Sequence, residues 1–166
     1  MRYGHIKNVK VKAILSQDLC YRFQLIITNK NMNKGETVCA IMQNPSVANE
    51  EVSDKSVQFL EKLIFEKSYP LFKHVRKLII VNLFAFIQTN NFVGTNGGIG
   101  KNNDAYIKKA IRNSQIILVA WGKSNVHFQR QEDIKKIISS FKGKKVYQTK
   151  KHPSRGFYED FIIKYS

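Results

Sequence analysis

The stretch Thr37 to Ser46, TVCAIMQNPS, decides how this chain folds. Its first six residues are continuously apolar rather than alternating, the pattern of a β-strand buried on both faces. The run stops abruptly at Gln43-Asn44-Pro45-Ser46. Two further runs repeat the pattern, KLIIVNLF from Lys77 to Phe84 and QIILVAWG from Gln115 to Gly122, and VYQT from Val146 to Thr149 reads as a fourth, alternating strand. Helical patterns separate them. Asp54 is placed to cap a helix running to about Lys67, with Val57, Leu60, Leu63 and Ile64 on its apolar face. Asn103 or Asp104 caps a second, reaching about Asn113. A third, from about Asn125 to Phe141, carries Ile134, Ile137 and Ile138 inward. The apolar spacing from Phe157 to Tyr165 predicts a closing helix.

Strands and helices in alternation predict an α/β fold, here a three-layer α/β/α arrangement around a central four-stranded, mainly parallel sheet with right-handed crossovers. Ahead of it, VKAIL and YRFQLIIT are separated only by a short segment that includes the polar Ser16-Gln17-Asp18, which predicts a β-hairpin. Residues 1–35 then form an amino-terminal hairpin extension of a single domain spanning 1–166. The chain contains no internal repeat, low-complexity tract or evident linker.

The chain is long enough for a substantial core, and its 43% hydrophobic content argues against wholesale disorder. No apolar run approaches the roughly 18 residues of a membrane span. The start, MRYGHIKNVKVK, lacks the apolar segment of a secretory signal, so a cytoplasmic protein is expected. Cys20 and Cys39 both fall in apolar strand-like runs and read as small buried hydrophobes. His5, His74 and His127 lack matched Cys/His metal-ligand spacing, so a structural metal is not expected. Charge is more informative: 28 basic residues stand against 12 acidic ones, a formal net charge of +16. An excess this large in a folded domain points to a polyanionic partner, nucleic acid before an anionic membrane surface.

Polar residues gather at the strand ends: Gln43, Asn44 and Ser46 after the first, Asn82 in the second, Trp121-Gly122 after the third and His152-Pro153-Ser154 after the fourth. In a parallel sheet these ends share one edge, the edge where ligands bind. Pro153 restricts His152 to an extended backbone, and Lys142, Lys144, Lys145, Lys150, Lys151 and Arg155 flank it without an intervening acid. Asn offers a donor and an acceptor side by side and reads the edge of a base or amide. A His can donate to an oxyanion that develops in a transition state. Each piece also has a plain structural reading: Asn44-Pro45 as a turn starter, Asn82 satisfying nearby backbone, Trp121 as core. The segment GTNGGIG, Gly94 to Gly100, has no P-loop Lys-Ser/Thr and reads as a surface loop.

Taken in order, AIMQNPS, LIIVNLF, ILVAWG and QTKKHPSRGF resemble the motifs of the uracil-DNA glycosylase superfamily, over most of the chain from Thr37 to Tyr165. The same order is similar to that of a domain family of bacteria and mobile elements with Asn-Pro-Ser, Asn-Leu-Phe-Ala, Ala-Trp-Gly and His-Pro motifs and no settled activity. The glycosylase resemblance implies excision of uracil or a related deaminated base from single- or double-stranded DNA, by a monomer without a cofactor. It implies that His152 donates to uracil O2, that Asn82 bonds the O4/N3 edge, and that Asn44 positions water or stabilises the sugar cation. Ser154 would bind a phosphate, with Arg155 beside the displaced base and Lys145, Lys150 and Lys151 along the backbone. Gln43 and Ser46 would border the base, and Phe84 or Phe86 would stack on it. The chain departs from the family pattern where Asn44 replaces a common catalytic Asp, leaving Asp54 as a possible acid, and where Ser46 replaces a Tyr. The competing reading is a DNA-binding protein of the same fold, without base excision, that serves mobile-element DNA.

Overall fold

The computed structural model describes residues 2–123 and 126–165. Seven strands form one sheet: β1 (Val9–Leu15), β2 (Arg22–Asn29), β3 (Glu36–Met42), β4 (Val75–Asn82), β5 (Ile116–Val119), β6 (Lys145–Thr149) and β7 (Ile162–Lys164), in the order β1-β2-β4-β3-β5-β6-β7. Three pairings are parallel, β4–β3, β3–β5 and β5–β6, and three are antiparallel, β1–β2, β2–β4 and β6–β7. The sheet is therefore mixed and seven-stranded, not the four-stranded, mainly parallel one expected.

Two causes account for the difference. The amino-terminal hairpin is not an extension: Leu25 and Ile27 lie opposite Ile80 and Leu78 and are fully buried, so β2 continues the sheet. The carboxyl terminus is not a helix. After a single 3-10 turn, Pro153–Arg155, the chain runs extended, and β7 pairs Ile162 with Thr149 and Lys164 with Tyr147. Phe157 and Phe161, four apart, mimic a helical stripe. Yet Asp160 sits at φ 47°, which stops a right-handed helix, and β7 covers what would otherwise be an open edge of β6.

Helices cover both faces. Asp54 caps α1 (Lys55–Phe65) by accepting from the Ser56 and Val57 amides, as the sequence predicts. Val57, Leu60 and Leu63 of α1 pack on one face with Leu25, Ile27, Val38, Ala40, Leu78, Ile80 and Leu118. A four-residue turn, α2 (Asn96–Ile99), gives order to the glycine-rich segment expected as a plain loop. On the opposite face, Ile107 and Ile111 of α3 (Asn103–Arg112) and Ile134 and Ile138 of α4 (Phe128–Ser139) pack with Ile41, Ile79, Val81, Ile117 and Val119. Neither expected cap of α3 holds. Asn102 flanks the helix without a side-chain bond, and Asn103 turns inward to donate to the Asn82 and Leu83 carbonyls. The expected start of α4 at Asn125 lies outside the described residues. Cys39 is buried, but Cys20 is exposed in the β1–β2 connection, against expectation. Among the described residues no helix is long and apolar enough to cross a membrane.

The connection from β3 to β4 carries α1 on one face, and the later connections carry α3 and α4 on the other. The chain thus leaves the carboxyl ends of β3 and β5, which are neighbours, towards opposite sides of the sheet. That divergence opens a crevice above the two strands.

The segment before β1 is held to α1 by a buried pair. His5 Nδ1 lies 2.5 Å from Glu61 Oε1 and His5 Nε2 lies 2.9 Å from the Asn49 carbonyl, while Tyr3 and Ser53 exchange backbone bonds. Burial is the largest single influence on the imidazole and lowers its pKa, but the hydrogen bond and charge of Glu61 together raise it above the usual value. A raised folded-state pKa stabilises fully below the unfolded value near 6.5 and is lost as pH rises through the folded value. Protection factors of the Tyr3 and Ile6 amides, corrected for intrinsic exchange, are therefore expected to fall above that pKa. Glu61→Ala should remove the pH dependence and cost about 3 kcal/mol or more in urea unfolding, since one member of a buried pair is left alone.

Candidate active-site cleft

A cleft of about 580 Å³ occupies the crevice, lined by Gln43 and Asn44 after β3, Trp121, Gly122 and Lys123 after β5, and Lys151, His152, Ser154 and Arg155 after β6. Its size falls within the roughly 300–1,000 Å³ usual for small-molecule pockets. Among the described residues no Asp or Glu lines it, and three cations do.

His152 has its ring state set by its neighbours. Its backbone lies at φ −58°, ψ 139°, the extended form required before Pro153. The Ser154 amide donates to Nδ1 at 3.3 Å, and the Ser154 hydroxyl lies 2.9 Å from the same atom. A backbone N–H only donates, so Nδ1 is the acceptor and the neutral ring carries its proton on Nε2. Burial is the main cause that lowers the ring's pKa, Arg155 adds to it, and Asp54 opposes both. Near pH 7 the side chain is thus a neutral N–H donor.

Gly122 permits this placement. It sits at φ 84°, and a Cβ there would lie 3.3 Å from the His152 nitrogen and 3.4 Å from its Cβ. Gly122→Ala is expected to cost about 1–2 kcal/mol in backbone strain and to lower Tm by about 2–8 °C. The same substitution should shift the His152 ring resonances in NMR spectra, because the neighbouring backbone must give way.

Asn44 donates through Nδ2 to the Gln88 carbonyl at 2.7 Å and to the Pro45 carbonyl at 3.2 Å. Its Oδ1 has no hydrogen-bond partner among the described residues. Asp54 is engaged as the cap of α1 and does not line the cleft, though its charge acts on both His152 and buried Arg22.

Several expected site residues lie elsewhere. Asn82 pairs with Met42 inside the sheet, one residue short of the edge that Gln43 and Asn44 pass beyond. It is fully buried, does not line the cleft, and neither side-chain amide atom has a partner among the described residues. Phe84 is core, packed with Phe92 and His127 at centroid distances of 5.1 Å. Phe86 is partly exposed beside Tyr21, away from His152. Ser46 bonds Thr89 at 3.3 Å and does not line the cleft.

The cationic rim is also smaller than expected. Lys145 begins β6 and pairs with Glu36, so about 13 Å of strand separates it from the His152 end. Lys144 is bound to the Arg112 and Ser114 carbonyls at that far edge. Lys150 and Lys151 remain at the near edge. Lys123 was not anticipated, although its position directly after the third strand is the signal that would have found it. Among the described residues no group of three or more His, Cys, Asp or Glu is placed to hold a metal ion.

Fold and cleft together define an α/β protein with a cationic, imidazole-bearing crevice at a topological switch point. The chain belongs to the family described as protein of unknown function (DUF1643), whose model matches residues 22–155, from the start of β2 through the last cleft residue, Arg155. Neither the curated proteins nor the solved structures contain a match.

Proposed function

We propose that this protein is a DNA glycosylase that extrudes uracil or a related deaminated base into the cleft and hydrolyses its N-glycosidic bond. The observation that carries the reading is His152, held neutral with its proton on Nε2 inside a cationic crevice. Extrusion costs a few kcal/mol, repaid by a fitted pocket. As the bond between C1′ and the base breaks, its electron pair moves onto the base, and the sugar acquires oxocarbenium character. The Nε2–H of His152 donates to the base oxygen on which that charge collects. The Asn44 Oδ1 faces the sugar cation or the attacking water, which adds to C1′ and releases a proton. Lys123, Lys151 and Arg155 neutralise flanking phosphates of single- or double-stranded DNA. The protein acts as a cytoplasmic monomer, and this chemistry needs no metal or organic cofactor.

A second reading is a DNA-binding protein of mobile-element DNA without base excision. It is favoured by the burial of Asn82 and Phe84 away from the cleft, and by the lack of a lining carboxylate. Oligonucleotides carrying one uracil, single- and double-stranded, separate the two when scission at abasic sites is measured. Scission above the uncatalysed background supports excision. Tight, salt-sensitive binding without scission supports the second reading.

A further inference from the structure

A second cavity, of about 390 Å³, adjoins the cleft on the sheet face covered by α4; Trp121, Gly122 and Lys123 wall both. Its other walls include Gln131, Lys135, Lys150 and Tyr165. Gln131 shares one helix stripe with Ile134 and Ile138, where an apolar residue is the rule. It is 1% exposed, and its Nε2 has no hydrogen-bond partner among the described residues. A buried donor left unpaired costs about 1–3 kcal/mol, and it is one of the signs by which a ligand position is recognised.

The surrounding charges define the ligand's sign. The Lys135 ammonium is neutralised by Glu132 at 2.7 Å, while Lys123 and Lys150 have no salt bridge among the described residues. Among the described residues no carboxylate lines the cavity. An amide N–H, two ammonium groups and the Tyr165 hydroxyl form a set of donors with two net positive charges. We propose that this cavity binds a phosphate group, held by Gln131 Nε2, Lys123 and Lys150. That the phosphate is a backbone diester of the strand whose base enters the cleft rests on the proposed function; a free phosphate would satisfy the same donors.

The test uses uracil oligonucleotides in which one phosphate at a time is replaced by a neutral methylphosphonate. Affinity is measured by fluorescence anisotropy for wild type, Gln131→Leu and Lys150→Ala. One replacement near the uracil is expected to weaken wild-type binding about tenfold and each variant at most about twofold, since the variants already lack the contact. Lys150 is exposed, so its variant tests the site even if Gln131→Leu fails to fold. Equal losses in wild type and in folded Lys150→Ala at every position, with no inorganic phosphate bound in calorimetry, would overturn the site. Inorganic phosphate bound by wild type and lost in Lys150→Ala, with no responsive backbone position, supports the site with free phosphate as its source. The footprint is read without base release: a footprint without release keeps this site and removes the glycosylase reading, and release with neither a footprint nor bound inorganic phosphate does the reverse.

Discussion

His152→Ala is expected to lower base release by about 10²–10³-fold, the usual loss when one donor to a developing oxyanion is removed. Affinity for uncleaved DNA should change little, because Lys123, Lys151 and Arg155 still line the cleft with positive charge. Single-turnover release and anisotropy binding check the two halves separately. Ser154→Ala should lose far less, since the Ser154 backbone amide still holds Nδ1 as an acceptor. The pH profile follows from the direction of the shift. The ring's pKa is lowered, chiefly by burial, so the neutral donor persists to pH values below the usual titration near 6.5. Release should be flat above 6.5 and fall as pH drops through the folded-state pKa. Stability moves the same way: between the folded and unfolded pKa values the unfolded chain binds more protons, so the folded state gains as pH rises through that window. A rate that increases on acidification would show that His152 acts as an imidazolium acid and not as the neutral donor.

Phe161→Ala carries the largest expected cost to stability, about 3–5 kcal/mol for a large buried ring. The side chain is fully buried and stands edge-on to both Phe59 and Phe157, with centroids 5.1 Å away in each case. Phe59 also stacks on Tyr158 at 4.9 Å, so one residue of α1 anchors the segment that leads into β7. The Lys150 amide donates to the Phe161 carbonyl, and protection of that amide should fall with the substitution. Because His152 lies just past Lys150, loosening β7 should also broaden the His152 resonances. Urea unfolding measures the energy and amide exchange the place. If neither the transition midpoint nor the Lys150 amide responds, β7 is not what secures this end of the sheet.

Much of the framework was legible because it depends on short-range periodicity. Continuous apolar runs marked β3, β4 and β5, and Asp54 announced α1 because its carboxylate satisfies amides only two and three residues ahead. His152-Pro153-Ser154 was legible for the same reason: the turn, and the bond that orients the ring, are made within three residues. The four-residue spacing of Phe157 and Phe161 misled, since a stripe of rings looks the same whether it covers a helix or wraps over Phe59.

What the sequence determined alone was the class of fold, the positive charge and the local chemistry of the strand ends, all of which follow from neighbours in the chain. Tertiary structure alone decided which of those ends meet. Register set Asn82 beside Met42, inside the sheet rather than in the cleft, and strand length carried Lys145 to the far edge. The crossing of α1 and α4 on opposite faces put the crevice between β3 and β5. These outcomes depend on pairings between residues tens of positions apart, where burial and backbone hydrogen bonding choose the partner and no local pattern records the choice.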